Sequence, residues 1–396
     1  MKRILYGLVG ICCWLTIYDA DAQSRFRSGS DSRSETFIVE KGGLLDVNSS
    51  VGDIIISVWD KNEVAVSVDG ISRDDIDELE FRRDAGIVRV EFHPSHSRWS
   101  KRVRFKIDIP SEFNVDVRTG GGEIEIRGRI IGEIRGHTSG GDITLGDIEG
   151  EVDVVTSGGD IRVGLVTGIG FLKTSGGDIR VVEALADLDI HTSGGDIRLG
   201  NVGKRVDART SGGEIIIGNV GGEARINTSG GDIEVGEVDG NVILNTAGGT
   251  IQLRSAKGEV RATTAGGDIE LLGVTGSVEA RTAGGDVMAE LIPSGTGRSS
   301  LVTAGGDVTL YINKNARATI EARIQMERNW NRNNRRSRRD YEVEYGIRSD
   351  FEAERYEEDI ERGKIRATYI LNGGGERIRL ETANGNIYIR ELIDRQ

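Results

Sequence analysis

Carboxylates recur at a fixed interval through the middle of this chain. Asp142, Asp160, Asp178, Asp196, Glu214 and Asp232 stand 18 residues apart, and Asp268, Asp286 and Asp307 resume the series after Thr250 interrupts it. If the copies stack about 5 Å apart, like charges face one another and repel. A hard cation such as Ca²⁺ could bridge them, but it needs several converging oxygens, and only one acid per copy is assured. The nine-residue calcium-roll pattern G-G-x-G-x-D is matched only loosely. Asp directly after Gly-Gly has a simpler use, accepting hydrogen bonds from turn N–H groups. Arg162, Arg180 and Arg198 lie two residues on, facing the same side, where opposite charges on neighbouring copies offset the repulsion. A structural carboxylate column is therefore favoured over a Ca²⁺ ladder on Asp142, Asp160, Asp178, Asp196 and Asp232, and no metal or other cofactor is expected.

Other chemistry is thinly represented. Polysaccharide cleavage needs a dedicated acid–base pair set in a cleft, whereas the acids here are spread evenly. The four His are isolated except for His93-Pro94-Ser95-His96, which lacks Cys or Glu at ligand spacing and reads as a surface turn. No G-x-S-x-G nucleophile motif occurs. The Gly-Gly pairs lie between strands and open no helix, so they are not phosphate loops. Arg323 to Arg339 holds seven arginines, with Trp330 among asparagines, followed by a mostly acidic stretch to Arg362. Trp330, Arg332, Arg335, Arg336, Arg338 and Arg339 are candidates for docking a partner, although charge blocks of this kind are usually solvated loops. The net charge of −13 opposes general nucleic-acid binding.

The positioning element is a repeat. T-[S/A]-G-G-D-I-x-V begins at Thr138, Thr156, Thr174, Thr192, Thr210, Thr228, Thr246, Thr264 and Thr282, each 18 residues after the last, with looser copies at Thr119 and Thr303. Within a copy, Val152, Val154 and Thr156 share one parity, and Ile161 and Val163 share another after the Ser157-Gly158-Gly159 turn. This is period-two alternation, the mark of half-buried strands. The paired glycines are expected to turn with positive φ, and a looser turn at Gly146–Gly150 to reverse the chain at the other end. Equivalent positions fall into columns (Ile143, Ile161, Ile179, Ile197; Leu145, Val163, Val181, Leu199) that form a continuous seam if the copies stack in register. The fold class is all-β: a parallel β-solenoid, or β-helix, with ~18-residue two-strand rungs, irregular N-terminal strands and a late excursion. Ten or eleven rungs make a rod on the order of 50 Å long. No Pro occurs between Pro110 and Pro293, as a long ladder requires. An antiparallel meander is the rival, but it has no need of identical turns at every second strand. Thr156 shares the inward parity of Val154, which argues against an ice-binding threonine face.

Along the chain, residues 1–22 read as a signal peptide: Met-Lys-Arg, an apolar run from Ile4 to Tyr18 and the A-x-A site Ala20-Asp21-Ala22. Its removal takes both cysteines, Cys12 and Cys13, and leaves the net charge unchanged, since Lys2 and Arg3 offset Asp19 and Asp21. No later segment is apolar and long enough to span a bilayer. Residues 23–34 read as a disordered lead-in, 35–118 as N-terminal strands capping the solenoid, and 119–322 as the regular solenoid. Residues 74–81 suggest one helical turn. Residues 323–363 form a charged excursion, expected partly disordered or helical, and 364–396 return to the rod and close it.

Gly42-Gly43-Leu44-Leu45-Asp46-Val47, Asp108-Ile109-Pro110, the repeated T-S-G-G-D-I, and the run from Asn372 to Ile389 together resemble the bacterial "putative adhesin" β-solenoid domain. The resemblance covers roughly residues 36–390 and rests on structural motifs. It implies an exported protein without assigned biochemical activity and brings no catalytic residues with it. The leading expectation is a non-enzymatic scaffold, periplasmic, outer-surface or secreted, that binds an envelope glycan, lipid or protein. The alternative is a carbohydrate-active enzyme built on the same rod.

Overall fold

The computed structural model describes residues 31–72, 74–95, 103–293, 297–326, 345–359 and 362–393. Residues 1–22, expected as a signal peptide, and the docking candidates Trp330, Arg332, Arg335, Arg336, Arg338 and Arg339 lie outside them.

Each 18-mer is one turn of a coil. After the Gly-Gly turn, Ile161–Val166 lies parallel to Ile179–Ala184 of the next copy, with Ile161 beside Ile179, Arg162 beside Arg180 and Val163 beside Val181. Before the turn, Val152–Val155, Gly170–Lys173 and Leu188–His191 pair in the same manner, with Val154, Leu172 and Ile190 in one file. The first set belongs to a sheet of 19 strands and the second to a sheet of 18. Neighbouring strands within a sheet therefore come from successive copies, as a solenoid requires and a meander forbids. The inward files of Ile, Val and Leu are almost wholly buried between the sheets, in one core cluster from Val39 to Ile389.

Two local features differ from the sequence reading. Val163 and Val166 are both buried, with Gly164 and Leu165 facing outward between them. Two consecutive outward residues break the alternation and bend the strand, so the rung gains a third short wall. Ile148–Glu149, expected as part of a looser turn, is a strand of that wall, and Ile148 pairs with Val166. The glycine pairs of the regular 18-residue copies also do not turn with positive φ: residues in that region include Gly42, Gly128, Gly273 and, in the N-terminal phrase, Gly52, but neither Gly158 nor Gly159. The reason for glycine is separation between rungs. A Cβ on Gly159 would stand 2.1 Å from the Gly141 carbonyl oxygen, and one on Gly177 2.1 Å from that of Gly159. A Cβ on Gly158 would be 3.6 Å from the Gly140 oxygen, an ordinary contact.

Both ends depart from sequence order. Leu44–Ser49 lies between Ile87–Phe92 and Asn114–Thr119, and Asp53–Trp59 between Arg104–Pro110 and Ile124–Arg127. Its Ser49 stands beside Thr119, so the degenerate phrase at Asn48–Ile54 is a true copy of the repeat. At the other end, Glu376–Thr382 and Ile387–Glu391 insert between earlier strands of the chain. The outermost strands are Asp31–Ile38, Leu79–Asp84, Ile347–Ser349 and Arg355–Asp359. Their sequences (DSRSETFI, LEFRRD, IRS, RYEED) carry charge, which disfavours pairing with a further chain. Within the excursion, residues 323–325 end the strand Ala318–Gln325, and Ile347–Ser349 and Arg355–Asp359 are strands rather than helix. Asp350 ties the excursion to the rod by accepting the Glu391 N–H and an Arg390 guanidinium bond, which hold its carboxyl below the ordinary range. Ile76–Glu78 forms a single 3₁₀ turn inside the helical stretch expected at 74–81. Among the described residues, no helix is long and apolar enough to cross a membrane.

Candidate functional site

The polar residues of the repeat are consumed in joining rung to rung. Thr174 is fully buried. Its hydroxyl donates to the Gly159 carbonyl of the preceding rung at 2.8 Å and accepts from the Gly177 N–H at 3.3 Å. Gly159 in turn donates to Thr156, and Thr192 to the Gly177 carbonyl. Thr and Gly therefore alternate in a continuous relay down the inside of the turns, polarising one another. No threonine hydroxyl of this file is presented to ice or to a ligand.

The carboxylate column is the second ladder. Asp160 Oδ1 accepts the backbone N–H of Asp178 at 2.9 Å, and Asp142 and Asp178 do the same for Asp160 and Asp196. The other oxygen meets arginine: Asp160 with Arg162 at 2.6 Å, Asp178 with Arg180 at 2.8 Å, and Asp196 with Arg198 at 3.0 Å. Arg162 also reaches back to Asp142 at 3.1 Å, and these carboxylates hold its guanidinium above the ordinary pKa. Asp232 accepts the Thr250 N–H at 2.7 Å. Asp142, Asp160, Asp178 and Asp196 thus direct their oxygens to amides and guanidinia rather than to a common centre, and Asp232 spends one on an amide. Asp160→Ala should cost about 1 kcal/mol, since the pair is part-exposed, while EDTA should leave the melting temperature unchanged. A drop of many degrees with EDTA would restore the Ca²⁺ ladder.

A third ladder escaped the sequence reading. At the bend, Asp147, Asn201 and Asn219 accept the backbone N–H of Leu165, Asn219 and Glu237 on the following rung, at 3.0, 3.0 and 2.9 Å. The available signal was an Asp or Asn directly after glycine (Gly146-Asp147, Gly200-Asn201, Gly218-Asn219) at multiples of 18 residues.

The chain matches the model of the Toastrack DUF4097 family over residues 27–262 and 173–328, which together span more than half of its 396 residues. It belongs to the Toastrack DUF4097 family. Among curated proteins, none matches. Solved structures that it resembles include a putative adhesin from Bacteroides fragilis, at 11% identity over 92% of this chain and 99% of that one, with a TM-score of 0.20. Another is a putative adhesin from Parabacteroides distasonis, at 14% identity over 67% and 98%, with a TM-score of 0.32. A third is a putative lipid binding protein from the same species, at 14% identity over 67% and 95%, with a TM-score of 0.23. Likeness at this level carries no ligand across.

What remains for function in this Toastrack chain is its outer surface. One shallow groove of about 570 Å³ follows the bend and is lined by Arg162, Arg180, Arg198, Val182 and Gly200. Its arginines are those already paired with the Asp column, and Val182 is 72% exposed. Next along the rod, a groove of about 410 Å³ holds Glu234, Gln252 and Glu270, with Ile216 and Leu272. Glu234 and Glu270 are two rungs apart, roughly 10 Å by strand spacing. His93 faces Ser50 across 2.8 Å, yet among the described residues no carboxylate bonds to its second nitrogen to orient it, as a Ser–His nucleophile needs. Neighbouring Ser95 is bound to Glu78, as suits a surface turn.

Proposed function

We propose that the chain is an exported, non-enzymatic rod that presents flat charged faces to a component of the cell envelope, in an adhesin-like role. One observation carries this reading: the repeated Thr, Asp and Asn side chains are engaged in bonds between rungs. Residues so engaged build length and stiffness rather than a reaction centre. The basic N-terminus, short apolar run and A-x-A site support export to the periplasm, the outer surface or the medium. The test is a binding screen of the mature chain against envelope glycans, lipids and proteins, with turnover followed in the same samples. Saturable binding without turnover is expected. Release of new reducing ends would refute it.

Glu234 and Glu270 favour a second reading, a glycan-cleaving enzyme. Their strands, roughly 10 Å apart, lie just beyond the roughly 6.5–9.5 Å that separates the carboxyl groups of inverting glycosidases. If cleavage is found, Glu234→Gln and Glu270→Gln should each abolish it. On the scaffold reading both variants bind as the native chain does.

A further inference from the structure

Arginine on the rod's faces follows a habit. Arg118, Arg127, Arg135, Arg162, Arg180, Arg198, Arg209 and Arg281 each pair with an acid two residues earlier in the chain. Arg298 and Arg377 break it, as do Arg254 and Arg366, which follow Gln252 and Lys364. The residue two before Arg377 is Gly375, and the one two before Arg298 is Thr296. The two arginines are direct partners on adjacent parallel strands, about 4.8 Å apart along the rod. Among the described residues, neither makes an ion pair with a carboxylate. Like charges directly opposite on a sheet repel, and the rod as a whole is acidic, so this is a local reversal of sign.

The pair opens onto a groove of about 380 Å³ on the outer face of the second sheet, lined also by Arg281, Arg379, Ser300 and Glu321. Arg281 and Arg379 are steadied by Glu279 and Glu381, which leaves Arg298 and Arg377 with free donors. Glu376, between Gly375 and Arg377 on the strand, points the opposite way: it is 3% exposed and accepts from Ser299 at 2.7 Å inside the rod. It does not occupy the groove.

The geometry points to an oxyanion site: Arg298 and Arg377, flanked by Arg281, Arg379 and the Ser300 hydroxyl, bind a phosphoryl or sulfate group carried by an envelope glycan. Guanidinium presents a planar fork of donors that matches such groups with paired hydrogen bonds. An anion between the two arginines also removes their repulsion, a gain that arginines already paired with carboxylates do not offer. This deepens the proposed function by naming the chemistry of its ligand, and it rests on that reading.

The test is calorimetric titration of the mature chain, residues 23–396, with inorganic pyrophosphate at fixed ionic strength. Parallel arms use a phosphate-bearing glycan and a sulfated glycan to tell the two sources apart. Saturable binding is expected, and Arg298→Gln/Arg377→Gln should weaken it about tenfold or more. Arg127→Gln/Arg135→Gln, paired residues at the far end, should bind as the native chain does. The Arg298→Gln/Arg377→Gln chain should melt no lower than native without ligand, because it loses a repulsion and no partner. Absence of pyrophosphate binding, or equal weakening in both double variants, overturns the site and leaves the scaffold reading standing. Turnover of either glycan overturns the scaffold reading whatever the groove binds.

Discussion

Replacing Gly159 by alanine should cost the rod about 3 kcal/mol or more, while replacing its neighbour Gly158 should cost almost nothing. The first Cβ would stand 2.1 Å from the Gly141 oxygen, 2.4 Å from the Gly141 carbon and 2.6 Å from the Asp142 nitrogen. All three are backbone atoms held in the ladder, so the rungs must part, and overpacking of this kind is costly. The Gly158 position is open at 3.6 Å and its φ is not positive. Alanine there restricts the unfolded chain and should be neutral or stabilising by up to about 1 kcal/mol. The chain already contains this contrast. In the last copy the first glycine of the pair is Asn384 while the second stays Gly385, where a Cβ would stand 1.9 Å from the Gly306 oxygen. Denaturant melts of the two variants decide the matter, and similar midpoints would remove the account of the Gly-Gly pair.

Thr174→Val should be the next most damaging change. Valine keeps the shape of a fully buried side chain but leaves the Gly159 carbonyl and the Gly177 N–H without their partner. An orphaned buried group costs about 1–3 kcal/mol, so roughly 2 kcal/mol is expected. Because rungs contact only their neighbours, the loss should be local. Amide exchange at Gly177 and the adjoining strands should quicken by about 30-fold, with rungs near Thr264 unchanged. Thr174→Ser keeps both bonds and should lose only the methyl contribution, about 1 kcal/mol. Uniform quickening along the rod, or equal effects of Val and Ser, would show that the relay does not hold the turns.

Why some features were legible and others were not follows from how each is encoded. The coil is written locally and repeatedly: Ile161, Ile179 and Ile197 share a file because the same short-range alternation recurs at one period. The inward hydroxyl of Thr156 follows from its parity with Val154. The role of Gly159 is not written locally, since glycine serves equally for positive φ and for close approach, and only the position of Gly141 distinguishes them. The swapped order at the ends was hidden for a related reason. Nothing near Leu44 or Glu376 states that another strand will slide in beside it, because that pairing is chosen by edges made elsewhere in the chain. The Asp column was readable as a set of hydrogen-bond acceptors, but its donors, the amides of the next rung, exist only once the rungs stack. Arg298 and Arg377, 79 residues apart, become neighbours by the same late insertion, which is why no motif announced them.

Spin-label distances between outward positions test the coil most directly. Outside residues 1–22 the chain has no cysteine, so pairs can be introduced at Arg162 with Glu234 and at Arg162 with Glu270, four and six copies apart by the 18-residue period. A coil that advances one strand per sheet per copy gives separations of about 19 and about 29 Å. A hairpin meander, with two strands per copy in one sheet, gives about 38 and about 58 Å, and that result would contradict the stacking on which every ladder described above depends.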